Sequence, residues 1–208
     1  MKRCLDFRPI KDLDPPLWCG PQYPCAAGLF RKRILILGES THAAPEVDTS
    51  RYNVLMAEDH INGYRDRFRT KLIRAFLNLD TETPEQIAAF WNSVAYLNFV
   101  IPALAKSRIP PTEQMWEHEH QPIPHIIGVL RPHLVVVLGC RMWDRWEATR
   151  PWNRVAGPLI AGARRAQTYY FLSLDRGWRA LAYGMKHPSS GFSWRTEHPS
   201  LMQAIDRS

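Results

Sequence analysis

The stretch Arg33-Ile34-Leu35-Ile36-Leu37-Gly38-Glu39-Ser40-Thr41-His42 decides the fold. Ile34 to Leu37 are consecutive aliphatic residues behind the basic run Arg31-Lys32-Arg33. A short continuous apolar run of this kind is the pattern of a strand buried on both faces of a parallel sheet. It predicts a strand over 33–38, closed by Gly38, where the backbone is free to turn tightly, and a loop over 39–50. Glu39, Ser40, Thr41 and His42 all carry groups suited to hydrogen-bond or proton chemistry. In open parallel sheets ligands bind just beyond the carboxyl ends of the strands, so this polar cluster falls where such a fold places a site.

Working outward, Val54, Leu55, Ile61, Phe68, Leu72, Ile73, Phe76 and Leu77 keep helical spacing between Tyr52 and Leu79, with a break near Asn62-Gly63. Thr83-Pro84-Glu85-Gln86 reads as a helix start, with a capping Thr, Pro at the first helical position and an acid in the first turn. That helix runs to about Asn92. A second strand is expected over Ser93–Val100, closing with Ile101-Pro102, and a third over His133–Gly139. Between them Pro122 and Pro124 interrupt the chain, and Ile126, Ile127, Val129 and Leu130 form a short helix. A helix through Trp143 and Trp146, strand candidates at Thr168–Leu174 and Arg179–Met185, and a last helix from about Thr196 complete the series. Strands alternating with helices imply a three-layer α/β/α sandwich around a central, mostly parallel four-stranded sheet. Residues 1–30 hold Pro9, Pro15, Pro16, Pro21 and Pro24 and are expected to form an irregular arm that packs Trp18 and Tyr23 over the domain. One domain over 1–208 is expected, with no internal repeat or linker.

The chain has 208 residues, 45% of them hydrophobic, which fits a globular domain with a full core. No apolar run approaches the roughly 20 residues of a membrane span. Met1-Lys2-Arg3 has no apolar stretch behind it, so no signal peptide is expected and the cytoplasm is the expected location. The net charge of +7 suits a nucleic-acid partner, with basic clusters at Arg31–Arg33, Arg65–Lys71 and Arg164-Arg165. Cys4, Cys19, Cys25 and Cys140 include no C-x-x-C pair, so reduced thiols are expected, and neither zinc nor an iron–sulfur cluster. The run Glu117-His118-Glu119-His120, with His125, reads as a solvated loop and not as a metal site. No cofactor is expected.

Polar residues recur at three strand ends: Gly38 to His42 after the first, Asn98 in the second and His187-Pro188-Ser189-Ser190 after the last. In a parallel sheet these ends share one rim. In this ordered combination the chain resembles the uracil-DNA glycosylase superfamily, which has a motif such as G-Q-D-P-Y-H or G-E-A-P-G after its first strand. That family also has an Asn in or beside its second strand and an H-P-S motif near the C-terminus. Strand three, ending in Leu138-Gly139, also looks like the family's third strand. The likeness covers most of residues 31–206. Ser40 stands where the best-known branch has its water-activating Asp, Thr41 stands in place of the motif's Pro, and the four-cysteine spacing of the iron–sulfur branch is absent.

The resemblance implies a monofunctional DNA glycosylase that hydrolyses the bond between deoxyribose and uracil, or another altered pyrimidine, flipped out of DNA. His187 would donate to the base carbonyl oxygen as negative charge develops there. Glu39 or His42 would place the attacking water. Asn98, with a donor and an acceptor side by side, would read the pairing edge of the base. Gly38 and Ser40 would line the same place, and Tyr52, Tyr64 and Phe68 are candidates to stack on the base. Ser189 and Ser190 would bind flanking phosphates, with Arg195 beside them, and Phe192 and Trp194 stand where the family places a wedge. DNA with an altered base is the expected partner, with no membrane and a monomeric protein. Two other readings stand beside this one. The chain is a catalytically silent nucleic-acid-binding protein of the same fold, or a hydrolase using Ser40, Asp175 and His187 in that order.

Overall fold

In chain order the elements are α1 (Arg8–Lys11), β1 (Trp18–Cys19), β2 (Ile34–His42), α2 (Tyr52–Ile61), α3 (Arg67–Leu77), α4 (Pro84–Ser93), β3 (Val94–Leu104) and α5 (Glu113–Glu119). They continue with α6 (Pro122–Leu130), β4 (Leu134–Leu138), α7 (Cys140–Ala148), β5 (Asn153–Leu159), β6 (Gln167–Leu172), β7 (Arg179–Met185) and α8 (Trp194–Arg207). The structure, a computed structural model, describes residues 4–6, 8–14, 16–42, 51–104, 106, 109–119, 122–148, 153–163, 167–172 and 178–208.

The aliphatic run is the centre of the sheet. Ile34, Leu35, Ile36 and Leu37 are fully buried, two on each face. Ile34 and Ile36 pack with α2, α3, α4 and α8, whereas Leu35 and Leu37 pack with α1, α5, α6 and α7. The three α/β/α layers are therefore present. The sheet itself corrects the expectation of four mostly parallel strands. Among the described residues it is a mixed sheet of seven strands, in the order β1-β3-β2-β4-β7-β6-β5. β3, β2, β4 and β7 run parallel, while β1 on one side and β6 and β5 on the other pair antiparallel. β5 was not expected because Gly157-Pro158 inside it reads as loop. It is the last strand of the sheet, paired on one side only, where a proline is tolerated.

From β2 the chain goes to β3 on one side and then crosses to β4 on the other. That reversal makes the carboxyl end of β2 the topological switch point, the place where open α/β sheets bind ligands. β2 also runs past Gly38 to His42, because β3 continues beside it: Ser40 pairs with Val100 and His42 with Leu104, with an irregularity between them. Glu39 to His42 are thus strand, not loop, and Gly38 does not turn the chain.

Local signals account for the helices. Asp66 caps α3 by accepting from the Arg69 amide at 2.8 Å. Thr83 and Gln86 form the capping box of α4, with Pro84 in its first turn. Pro122 and Pro124 begin α6 instead of interrupting it, since the first turn of a helix needs no amide donors there. α8 begins at Trp194, two residues earlier than expected.

The N-terminal arm does pack its aromatics inward. Trp18 Nε1 donates to the Trp91 carbonyl at 2.8 Å, and the buried Tyr23 hydroxyl donates to the Leu130 carbonyl at 3.3 Å. It holds short α1 and β1 elements that its prolines had argued against. Cys4 and Cys25 are joined by a disulfide with their Cα atoms 4.1 Å apart, which corrects the expectation of four reduced thiols. The Leu5 amide donates to the Pro24 carbonyl at 3.0 Å and sets the two cysteines side by side. Cys19 and Cys140 are free thiols, and burial pushes Cys19 up to about 12, beyond thiolate chemistry at neutral pH. No helix among the described residues is long and apolar enough to cross a membrane.

His60 on α2 gives the fold a pH dependence. It has no solvent-exposed surface, and its Nδ1 accepts from Trp91 Nε1 at 3.1 Å. The ring proton therefore sits on Nε2, which is enclosed without a partner. Burial first, then the nearby Arg65 and Arg69 charges, push its pKa down to about 4. Between about pH 6.5 and 4 the unfolded chain then binds a proton that the folded chain refuses. Stability is expected to fall by up to about 3 kcal/mol across that window. Urea midpoints of the protein and of His60→Asn, which keeps an acceptor for Trp91, test this. An acid loss as steep in the variant as in the parent would put its origin elsewhere.

Candidate functional site

The positions singled out from sequence lie on or just past the four parallel strands: Gly38 and Glu39 within β2, Asn98 within β3, Gly139 after β4 and His187 after β7. His187 lies two residues past β7, half-buried. The ring of Phe68 from α3 lies 5.2 Å away, centroid to centroid, tilted by 34°. Gly139, at φ +99°, would bring a Cβ to 3.4 Å from the His187 Cβ, so the β4–α7 turn packs directly on the histidine. Its Nδ1 accepts from the Ser189 amide at 3.2 Å, which fixes the neutral tautomer with the proton on Nε2. Burial, opposed by the Glu39 charge and reinforced by Arg141, holds its pKa below the ordinary 6.5. At neutral pH the ring is an uncharged donor through Nε2.

The loop after His187 is braced from both sides. Ser190 donates to the His187 carbonyl through its amide at 3.0 Å and its hydroxyl at 3.2 Å. Lys186 Nζ donates to the Gly191 carbonyl at 2.6 Å and Lys71 Nζ to the Phe192 carbonyl at 3.2 Å. Ser189 and Ser190 face solvent. Phe192 is 6% exposed and belongs to the core, which corrects the wedge expectation for that residue. Trp194 opens α8 partly buried against the same core, with the Arg195 guanidinium 4.3 Å over its ring. Arg195 is exposed and paired with Asp80.

Glu39 meets Arg141, the second residue of α7. Arg141 Nε donates to Oε2 at 2.6 Å and Nη2 donates to Oε1, so both carboxylate oxygens are engaged. The Glu39 side chain is 13% exposed and that of Arg141 50%. His42 is exposed at the far end of β2, opposite Leu104, and no contact joins it to Glu39 or His187 among the described residues. Ser40 is half-buried in extended strand, not at the sharp strand-to-helix turn that a nucleophile elbow requires. Asp175, the third member of that reading, lies outside the described residues.

Asn98 is 3% exposed and is the Cα partner of Gly38. Its amide oxygen accepts from the Tyr96 hydroxyl at 2.9 Å, and its backbone amide donates to Asn53 Oδ1 at 2.9 Å. Its own Nδ2 has no partner among the described residues, yet it is not one of the enclosed unpartnered atoms, which are His60 Nε2, Trp178 Nε1 and Tyr183 Oη. Tyr52, at the start of α2, is half-buried and within electrostatic reach of the Tyr96 phenol. Tyr64 is 57% exposed, with the Arg69 guanidinium 4.9 Å over its ring. Arg69, in a cluster read from sequence as a DNA surface, is itself only 5% exposed. It is committed to the Met56 carbonyl at 2.9 Å and to Asp66.

Sequence reasoning missed Arg141, Tyr96 and Asn53. Tyr96 had a signal, since a residue two places before Asn98 on a strand shares its face. Arg141 and Asn53 had none. Among the described residues no group of three or more His, Cys, Asp or Glu side chains is placed to hold a metal ion. No known protein-family model matches the chain, and no curated protein matches it.

Proposed function

We propose that the protein is a divergent member of the uracil-DNA glycosylase superfamily and hydrolyses the N-glycosidic bond of uracil or another altered pyrimidine flipped out of DNA. The observation that carries this is the state of His187: uncharged, with Nδ1 occupied by the Ser189 amide and Nε2–H left to donate at the rim of the sheet. Breaking the C1′–N bond sends its electron pair into the base, so negative charge grows on a base carbonyl. A neutral N–H aimed at that oxygen stabilises the departing base without first protonating it. The order β3-β2-β4-β7 sets Asn98 on one row with Met185, three strand spacings or roughly 14 Å away between backbones, and His187 lies two residues beyond that row. Two side chains and a pyrimidine between them fill that span. Phe68 beside His187 offers a face for the base, and Glu39 offers negative charge near the sugar, where positive charge develops.

A second reading is favoured by one observation. Arg141 occupies both oxygens of Glu39, the carboxylate assigned to the water, which fits a protein that binds nucleic acid without cutting it. One experiment separates the two. The protein is incubated with single- and double-stranded DNA carrying uracil or other altered pyrimidines, and alkali-labile abasic sites are counted. Abasic sites in at least one substrate are expected, with affinity that falls steeply between about 50 and 200 mM salt through counterion release. Salt-dependent binding without cleavage of any substrate selects the silent binder. Affinity that ignores salt removes DNA as the partner of either.

A further inference from the structure

Leu37, Val137 and Gly184 form one row across β2, β4 and β7. Two residues further along come Glu39, Gly139 and Lys186, and His187 is the next residue. Glu39 follows Leu37 onto the face that α7 covers, where Arg141 of α7 grips both of its carboxylate oxygens. His187 packs instead on Phe68 of α3, which belongs to the opposite face. The β4 position between them is Gly139, at φ +99°, so no side chain stands there. The Glu39 carboxylate draws a proton onto the His187 ring and the Arg141 guanidinium repels one; these are the two charges that act on it. The other ionisable groups on the flanking elements are Lys186 beside it, Arg67, Arg69 and Lys71 on α3, and the free Cys140 thiol on α7. Lys186 and Lys71 donate to the Gly191 and Phe192 carbonyls, Arg69 is bound to Met56 and Asp66, and Arg67 is exposed.

We propose that Arg141 is a positioning residue that acts through Glu39: by holding the carboxylate on the α7 face it keeps His187 an uncharged donor, with Nε2–H open to a ligand. Ser189 already holds Nδ1, so Nε2 is the ring atom left to meet one. A carboxylate released by Arg141 would compete for that N–H and favour the imidazolium. The Arg141 side of the pair is 50% exposed, and an ion pair so open to solvent adds little to stability. Its effect falls on the charge of the histidine and not on the fold. That effect stands whatever ligand the rim takes; its bearing on base release rests on the proposed reaction.

The test uses the full chain without DNA. The Cε1–H resonance of His187, identified by its loss in His187→Ala, is followed by NMR from about pH 4 to 8. The midpoint of the parent is expected below the ordinary 6.5. It is expected to rise in Arg141→Gln, where Glu39 keeps its charge without a counterion, and to fall in Glu39→Gln. Arg141→Lys keeps the charge and loses the two-pronged grip, so its midpoint is expected between those of the parent and Arg141→Gln. A merely structural role would lower the urea midpoint and leave the titration where it was. A folded Arg141→Gln protein whose His187 titrates as in the parent overturns the assignment and leaves the glycosylase reading standing. A rise just as large when Arg141→Gln is made in a Glu39→Gln background overturns it too, because Arg141 would then act on the ring without Glu39. On a DNA substrate that is cleaved, the acid limb of the rate–pH profile is expected to move up with the His187 midpoint in Arg141→Gln. The expected midpoints with no DNA cleaved support the role of Arg141 and remove the glycosylase.

Discussion

His187→Ala is expected to cut the single-turnover rate of base release by about 10²–10³-fold, the usual cost of one preorganised donor to a developing oxyanion. The donor is defined by its surroundings. Ser189 holds Nδ1, burial keeps the ring uncharged, and the β4–α7 turn at Gly139 fixes the Cβ. Because the interaction strengthens only as charge moves onto the base, the loss should fall on the chemical step. DNA affinity should change little, since ground-state binding rests on phosphates. Glu39→Gln tests the neighbouring charge. It removes the carboxylate's charge and leaves Arg141 without its ionic partner. It should slow cleavage too, and the two losses together should be less than additive if both groups act on one transition state. A folded His187→Ala protein that keeps near-full cleavage takes the histidine out of the mechanism.

The parts of the site written into single strands were legible; the parts made by contacts between elements were not. Ile34 to Leu37 announce a buried central strand by their own pattern, and Thr83 to Gln86 announce a helix by capping chemistry. His187 follows its strand as the pattern implied, whereas Asn98, expected near a strand end, lies inside β3, which runs on to Leu104. Arg141 was not legible, because its partner Glu39 lies 102 residues away and only the crossover from β3 to β4 brings α7 to it. The motif residues 39–42 looked like loop because polar side chains mark loops, yet β3 runs long enough to keep them in the sheet. Phe192 was misread for a related reason. An aromatic after a polar motif suits an exposed wedge, but here it is buried in the core that α2, α3, α4 and α8 share on one face of the sheet. The antiparallel margin of the sheet and the Cys4–Cys25 bond depend on partners that local spacing does not name.

The second large effect is expected at Gly38, where a single methyl group is enough. In Gly38→Ala the new Cβ falls on Asn98 Oδ1 and within 2.9 Å of the Tyr96 hydroxyl oxygen. The backbone at Gly38 is ordinary strand, so alanine brings no conformational strain and the whole effect is one of space. Asn98 is enclosed at 3% exposure and tied through its backbone to Asn53, so the amide has to swing away from the Tyr96 oxygen. Overpacking of this kind costs about 1–3 kcal/mol of stability. Displacing a substrate-positioning group by about 1 Å costs on the order of 100-fold in rate, so base release should fall by roughly that factor while salt-dependent DNA binding persists. A double-mutant cycle identifies the cause. In an Asn98→Ala background the nearer of the two groups that the methyl group strikes is gone and the Tyr96 oxygen remains, so Gly38→Ala should lose part of its destabilisation, and the coupling read from urea midpoints should reach about 1 kcal/mol or more. If Gly38→Ala is as costly without the Asn98 amide as with it, the methyl group meets something else. Gly38 would then have no part in holding the reading amide.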